Sequence, residues 1–335
     1  MQKIAIIGVK ESQGYELLNL LSENKFDSQN IIAVEALAPL GTIVSYGEDE
    51  ELDVQMLDNF DFKKADIAIF CCPKEQTNKY LKKAISASCK IIDLSGATFS
   101  TSSVPCIIPE LNNNQITQDT NIVSIASSTA YQTLLPLANT IKTNKLKRLV
   151  ITAFISTSNL GRMAMDELFS QSRKIFLNET LADNQNVFKK QIAFNVLPQV
   201  GEFIGEETSF EWQLNAEIKK ILNTDIKVHA NAAYVPTFIG NAVFVNAEFE
   251  NEIDATDIRK EASSIKNVVV FDKNVDGGYV SVDDIQGEDN VYVSRIRQDV
   301  SVENGISYWS VLDNLRAGSA KIAFDILLKN FITRS

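Results

Sequence analysis

Residues 3–21 read KIAIIGVKESQGYELLNLL. The apolar run 3–9 is typical of a buried strand, and the leucines of residues 17–21 give the next segment one apolar helical face. A short turn bounded by glycines joins the two. We therefore predict that the chain begins with a strand, a glycine turn and a helix.

The same alternation continues through the first third of the chain. Short apolar runs follow at 30–36, 65–71, 90–96 and 121–127, and a helical pattern is centred on 76–88. Strands separated by helices imply right-handed crossovers. This part is predicted to form a Rossmann-type, doubly wound parallel sheet of an α/β fold.

After residue 145 the apolar runs become longer and partly alternating. Strands are predicted at 146–157, 225–238, 240–250, 266–272 and 290–300, with helices at 162–173, 210–222 and 313–331. Alternation of this kind is typical of an antiparallel sheet with one solvated face. The second part is predicted to be an α+β domain with a mostly antiparallel sheet, and a final amphipathic helix closes the chain.

Charge and composition exclude several classes of protein. The net charge is −11 without a basic run, which argues against a nucleic-acid partner. No apolar run approaches the roughly 20 residues of a membrane span, and the first residues lack the pattern of a signal peptide. With four cysteines, no CxxC spacing and one histidine, no metal site is predicted. These features predict a soluble, cytoplasmic protein.

The glycine turn GVKESQG, residues 8–14, is a weak dinucleotide signal. Gly8 and Gly14 stand at its ends, but Glu11 lies between them, where a backbone must come close to a pyrophosphate. A carboxylate about 4 Å from a phosphate costs roughly 1–4 kcal/mol, although Lys10 would offset part of this. A turn that binds nothing is the competing interpretation.

A second turn, in SIASSTAY at residues 124–131, joins a predicted strand to a predicted helix. Such turns suit a nucleophile, because the helix N-terminus favours developing negative charge. They equally suit an ordinary N-cap, where a serine oxygen satisfies free backbone N–H groups. Ser127 or Ser128 is expected to cap the helix, and a catalytic serine stays an alternative.

Three other features have simple structural explanations. His229 alternates with apolar neighbours on a strand and is expected to be structural or on the surface. Residues 272–283 match part of a calcium loop, yet the flanks are strands, so a Gly-Gly turn is predicted. Cys71 and Cys72 end an apolar strand and are predicted to be buried packing residues rather than a redox pair.

Several stretches together resemble the aspartate-semialdehyde dehydrogenase family. In chain order they are DIAIFCCP (66–73), IIDLSG (91–96), VPCIIPELN (104–112), QIAFNVLPQV (191–200), VPTFIGNAVFVNAEF (235–249), VSRIRQD (293–299) and WSVLDNLRAGSA (309–320). The chain is most similar to the Usg-type paralogues of that family, which lack its catalytic cysteine.

The resemblance implies a domain plan and a reaction. Residues 1–127 plus 313–335 would form the dinucleotide-binding domain, and residues 128–312 the catalytic and dimerisation domain of a homodimer. The family uses NADP, and its cysteine thiolate forms a thiohemiacetal that hydride transfer converts to a thioester, which phosphate releases. A histidine serves as acid and base, and arginines hold the substrate carboxylate and the phosphate.

At the positions that would carry this chemistry, the sequence departs from the family. Ser128 occupies the nucleophile position and Asn241 the acid/base position. Five further positions hold residues without the family's side chain; they are Ile155 for the orienting glutamine, Tyr234 for the substrate arginine, Phe99 and Gln213 for the phosphate-binding arginine and lysine, and Ala38 for the arginine that would read the NADP 2′-phosphate. NADP is implied by the resemblance, yet its binding is doubtful.

Other positions keep the family's residues. Glu211 stands where a glutamate would bind the substrate amine, although it also suits a solvated helix position. Cofactor positions implied by the resemblance are Gly8, Ser12, Gly14, Asn314 and Gly318. Asn314 and Gly318 equally suit packing at a helix start.

Two hypotheses follow. The first is a catalytically degenerate member of the family with a binding or regulatory role and an unknown small-molecule ligand. The second is an active NADP-dependent aspartate-semialdehyde dehydrogenase or related aldehyde dehydrogenase.

Overall fold

The computed structural model describes residues 2–181 and 187–332 of the chain. The chain divides into two compact units. The first consists of Met1–Ala126 and Ser319–Ser335, and the second of Ser127–Gly318.

The strands and helices of the described residues follow in chain order. The strands are β1 (Ile4–Ile7), β2 (Ile31–Glu35), β3 (Ile43–Tyr46), β4 (Glu50–Met56), β5 (Ile67–Phe70), β6 (Lys90–Asp93), β7 (Cys106–Ile107), β8 (Ile122–Ile125), β9 (Leu146–Ile155), β10 (Phe203–Ile204), β11 (Glu207–Thr208), β12 (Lys227–Tyr234), β13 (Asn241–Phe249), β14 (Val268–Val270), β15 (Val291–Asp299) and β16 (Gly305–Leu312). The helices are α1 (Ser12–Glu23), α2 (Lys74–Ser86), α3 (Ser128–Leu134), α4 (Thr140–Thr143), α5 (Arg162–Phe176), α6 (Ser209–Leu222), α7 (Ala255–Ser263) and α8 (Lys321–Ile326).

The first unit is built on an eight-stranded sheet in the order β3-β4-β2-β1-β5-β6-β8-β7. Every pairing in it is parallel except that of β3 with β4. All residues of β1 and β5 are buried, as expected for central strands covered on both faces. The predicted Rossmann-type parallel sheet is therefore confirmed. The β3–β4 hairpin was not predicted, because β3 is only four residues long and three of the seven residues of β4 are acidic.

The second unit contains a six-stranded sheet in the order β12-β9-β13-β16-β15-β14. Three of its five pairings are antiparallel, and the pairs β12–β9 and β14–β15 are parallel. The predicted α+β domain with a mostly antiparallel sheet is confirmed. Strand β16 and helix α7 were not predicted.

The last helix begins later than the predicted residue 313. Helical structure starts at Arg316 with a π-helical turn, passes through α8 and ends in a second π-helical turn at Phe331. The Asp313 side chain accepts the backbone N–H groups of Leu315 and Arg316, so Asp313 caps the helix instead of belonging to it. In the described part of the chain, no helix has the length and apolar character needed to cross a membrane.

Candidate active site

The turn before α3 is closed by Ser127, which is the helix N-cap. Its backbone is extended, with φ −61° and ψ 152°, and its Oγ accepts the N–H of Ala130 across 3.2 Å. The capping role predicted for Ser127 or Ser128 is confirmed for Ser127. The neighbouring Ser128 is the first residue of α3 and is left half-buried for other contacts.

Glu217 on α6 holds this turn in place. Its carboxylate accepts the backbone N–H of Ser127, and Ser127 Oγ donates to Glu217 Oε2 across 2.7 Å. Glu217 is 2% exposed. The sequence analysis did not identify this residue. The sequence did contain a signal for it. Glu217 lies on the apolar face of the helix with Leu214, Ile218 and Ile221, and a buried charge requires a partner.

Asn241, at the start of β13, contacts Ser128 directly. Its Nδ2 donates to Ser128 Oγ across 3.0 Å, and its Oδ1 accepts the backbone N–H of Ser156 across 3.0 Å. Because a backbone N–H can only donate, it fixes the amide orientation and turns the NH₂ group toward Ser128. An amide does not titrate, so this pair cannot remove the hydroxyl proton.

A second amide, Asn314, is enclosed by hydroxyl and N–H donors. Its Oδ1 accepts the N–H of Gly240 across 2.9 Å and lies 3.2 Å from Ser156 Oγ and 3.1 Å from Ser158 Oγ. Asn314 is 3% exposed. Its carbonyl oxygen is therefore used within the protein, which supports the packing interpretation of this position.

Gly318 has a steric reason to be glycine. A Cβ placed there would lie 2.6 Å from the Cβ of Ser128, closer than real carbon atoms approach. The structure thus brings together four of the predicted positions in the second unit: Ser128, Asn241, Asn314 and Gly318.

The predicted substrate positions are mainly apolar or already bonded. Ile155 is fully buried at the end of β9. Tyr234 ends β12, and burial raises the pKa of its hydroxyl to about 12. Its ring meets that of Phe188 edge-on at 5.3 Å. A neutral phenol among apolar groups does not replace a carboxylate-binding cation.

Glu211 is a helix-capping residue. Its Oε2 accepts the N–H of Thr208 across 2.8 Å and the Oγ1–H of Thr208 across 2.9 Å, and Thr208 in turn caps α6. Its Oε1 accepts the N–H of Ala232 across 3.1 Å. Both carboxylate oxygens therefore have structural partners. Gln213 lies on the same helix, half-buried, and Phe99 is buried in the first unit.

In the first unit, the glycine turn has the close packing that its glycines predict. Gly8 has φ +89°, and a Cβ there would lie 2.7 Å from the backbone N of Cys72. A Cβ at Gly14 would lie 2.1 Å from the Gly8 carbonyl oxygen. Both glycines are thus needed to bring α1, which begins at Ser12, against the turn.

Two carboxylates border the same turn. Glu35 Oε2 accepts the N–H of Lys10 across 2.9 Å. Partial burial of the Glu11 carboxyl, and then the charge of Glu35, raise the pKa of Glu11 above its usual value. The first backbone N–H groups of α1 could bind a dinucleotide phosphate, as at other helix starts. Glu11 and Glu35, however, make the surroundings of this turn acidic.

The remaining sequence features have no part in this site. His229 is exposed on β12. The Asp272 carboxylate accepts from Arg259 Nε across 2.7 Å and from the N–H groups of Arg295 and Ile296, and residues 273–278 form the predicted turn. All four cysteines are buried, as predicted for Cys71 and Cys72.

Comparisons with known proteins agree over almost the whole chain. Residues 3–119 match the family described as semialdehyde dehydrogenase, NAD binding domain, and residues 134–317 match semialdehyde dehydrogenase, dimerisation domain. The aspartate-semialdehyde dehydrogenase of Rickettsia bellii is 36% identical, with 98% of each chain covered. That of Rickettsia conorii is 35% identical, again with 98% of each chain covered.

The fold agrees as well. A crystal structure of aspartate semialdehyde dehydrogenase II from Vibrio cholerae superposes with a TM-score of 0.93 at 27% identity, covering 99% of this chain and 100% of that one. The expected aspartate-semialdehyde dehydrogenase-like architecture is thereby confirmed. With both domain matches and a relative above one-third identity, this chain belongs to the aspartate-semialdehyde dehydrogenase family.

Proposed function

We propose that this chain is a Usg-type member of the family that does not carry out the thioester chemistry of the dehydrogenase and has a binding or regulatory role. The contact between Asn241 Nδ2 and Ser128 Oγ carries the proposal. A hydroxyl is a weak nucleophile without an adjacent base, and the amide that contacts it has no proton to accept or release at neutral pH.

The cysteines and the histidine of the chain do not supply a substitute. All four cysteines belong to the first unit and are buried. The single histidine, His229, is exposed on β12. A thiolate and an imidazole are the groups that the family reaction requires.

The residues at the positions where the family binds anions also argue against the family reaction. Phe99, Gln213 and Tyr234 carry no positive charge, so carboxylate and phosphate groups of the family substrates would lose their charge-assisted hydrogen bonds. A small-molecule ligand that contacts any of these positions would therefore be less anionic than an acyl phosphate.

We further propose a homodimer, as the resemblance implies. Support comes from the match to a dimerisation domain and from an aromatic group on the second sheet. Phe244 is 37% exposed on β13, and its ring lies 4.7 Å from that of Trp309 and 6.4 Å from that of Phe154.

Two further predictions are kept as proposals. One is the division into a dinucleotide-binding domain (1–127 plus 313–335) and a catalytic-type domain (128–312), and the other is the cytoplasmic location.

The test is an assay of the purified protein with L-aspartate semialdehyde, phosphate and either NADP or NAD. Formation of the reduced nucleotide is followed by absorbance, with S128A as the matched variant. We expect no turnover above that of S128A. Nucleotide-dependent turnover that S128A abolishes would overturn the proposal, and supplying both nucleotides keeps this result independent of nucleotide preference.

An active dehydrogenase is the second candidate. The observation that favours it is the 36% identity, over 98% of this chain, to a protein named aspartate-semialdehyde dehydrogenase. In that case Ser128 would form an oxygen ester in place of the thioester, with a base from elsewhere in the protein. The same assay separates the two candidates, since only the second predicts a loss in S128A.

A further inference from the structure

Glu35 is a buried carboxylate at the carboxyl end of β2. It is 7% exposed, and its two oxygens accept the N–H groups of Ala36 and Lys10 across 2.7 Å and 2.9 Å. Among the described residues, no lysine or arginine forms an ion pair with it. Each carboxylate oxygen can accept more than one hydrogen bond, so Glu35 retains acceptor capacity for a further donor.

The position of Glu35 relates it to the glycine turn. Strands β1 and β2 are parallel neighbours, so their carboxyl ends lie at the same edge of the sheet. The N–H groups of Gly8 and Val9 both donate to the Val34 carbonyl oxygen, across 2.9 Å and 3.2 Å. In dinucleotide-binding folds, an acidic residue at the end of the second strand hydrogen-bonds the ribose 2′-hydroxyl.

The charge around Glu35 distinguishes between the two nicotinamide dinucleotides. The 2′-hydroxyl of NAD would donate to the free lone pairs of the carboxylate. The 2′-phosphate of NADP carries about −1.5 to −2 charges and would meet the negative charges of Glu35 and Glu11.

No compensating cation follows β2. Residues 36–42, ALAPLGT, contain no lysine or arginine, and Ala38 is buried. Lys10 is the one cation of the turn, and it carries a single charge on an exposed side chain. Against two carboxylates and a doubly charged phosphate, one exposed ammonium leaves a net repulsion.

From these contacts we propose that the first unit selects dinucleotides with a free 2′-hydroxyl, NAD and NADH, over NADP and NADPH, and that Glu35 determines this preference. The proposal departs from the NADP expected by resemblance. It goes beyond the proposed function and is independent of it, because binding is measured without any reaction at Ser128.

The experiment is a titration of the purified full chain with NADH and, separately, NADPH, followed by isothermal calorimetry and nucleotide fluorescence. We expect NADH to bind at least about tenfold more tightly, from one like-charge contact in a partly desolvated site. Equal or tighter binding of NADPH, or no binding of either nucleotide at millimolar concentration, would overturn the proposal.

Two variants assign the preference to its residue. E35Q keeps the size and one acceptor oxygen but removes the charge, and we expect it to reduce the NADH-to-NADPH affinity ratio to within about threefold of unity. The control is D119N, which removes an exposed charge before β8, four strands away from β2 in the sheet, and should leave the ratio unchanged. An unchanged ratio in folded E35Q would remove Glu35 from the explanation.

A competition experiment needs no variant. ADP-ribose should displace NADH from the wild-type chain, whereas 2′-phospho-ADP-ribose should displace it at least about tenfold less well. Equal competition by the two would contradict the proposal even if E35Q failed to fold.

Discussion

Ser127 Oγ donates to Glu217 Oε2 across 2.7 Å, and the same carboxylate accepts the Ser127 backbone N–H. The two residues lie 90 positions apart in the chain. Glu217 thus sets the position of the turn that presents Ser128. A buried carboxylate with two fixed donors is costly to replace, since either donor left without an acceptor remains desolvated.

We expect E217Q to lower the free energy of unfolding by about 1–3 kcal/mol, because the amide NH₂ would face one of two donors. S127A should also be destabilising. Because the residues are in contact, the double variant should lose less than the sum of the two single losses. Urea unfolding of the four proteins gives this coupling. The control is E206Q, an exposed carboxylate in the turn between β10 and β11, and a loss in E206Q equal to that in E217Q would refute the argument.

Restoring the thiol and the imidazole should not restore the family reaction. We expect S128C/N241H to show no nucleotide-dependent turnover of aspartate semialdehyde above the S128A background. At the anion-binding positions that the resemblance implies, Phe99, Gln213 and Tyr234 carry no positive charge. Each lost cation there would remove hydrogen bonds to a charged group, worth about ten- to a hundredfold apiece. Robust turnover of the double variant would show that the substrate anions bind without these cations. Circular dichroism of the variant checks that it is folded.

The four native thiols should react slowly with a disulfide reagent at pH 8. All are buried, and burial raises the pKa of Cys72 to about 11 and that of Cys71 well above its usual value, so little thiolate forms. S128C should add one fast-reacting thiol at the start of α3, whereas S128A adds none. Absorbance of the released reagent counts the thiols, and four fast thiols in the wild-type chain would contradict their burial.

Stability should depend on pH through Glu110. Burial raises the pKa of this carboxyl above its usual 4.5, although the nearby Lys329 opposes the shift. The folded state therefore binds the proton more tightly than the unfolded state. This group's stabilising contribution is complete below pH 4.5 and is lost as the pH rises through the folded pKa.

The corresponding variant is E110Q, which has no charge to desolvate. We expect its melting temperature to equal that of the wild type near pH 4 and to exceed it at pH 8, measured by thermal unfolding at both values. The exposed E75Q on α2 serves as the control. A melting temperature of E110Q below that of the wild type at pH 8 would show that the charged form is stabilising.

Much of the fold followed from local patterns. Buried strands such as β1 and β5 are continuous apolar runs, and helices such as α1 carry one apolar face, so their periods are visible in the sequence. The β3–β4 hairpin was missed because β3 has four residues with one of them buried, and the acidic residues at the start of β4 make that stretch polar. The end of the last helix was predicted correctly, but its start was not, because the Asp313 side chain competes with the backbone for the first N–H groups.

The candidate site was less accessible to such reasoning. The family resemblance identified Ser128 and Asn241 as candidate residues. The orientation of the Asn241 amide, however, depends on the backbone N–H of Ser156, which comes close to it only in the folded protein. For Glu211 the sequence allowed both a substrate-binding and a structural role. Only the structure shows that its carboxylate oxygens accept the backbone N–H groups of Thr208 and Ala232.

The sequence by itself determined most of the alternation of strands and helices, the family resemblance and the absence of a thiol at position 128, because these depend on residue types and their spacing. Only the tertiary structure decided which polar groups meet. Hydrogen bonds such as Ser127–Glu217, Asn241–Ser128 and Lys10–Glu35 join residues distant in the chain, and their geometry arises from packing that no local pattern encodes.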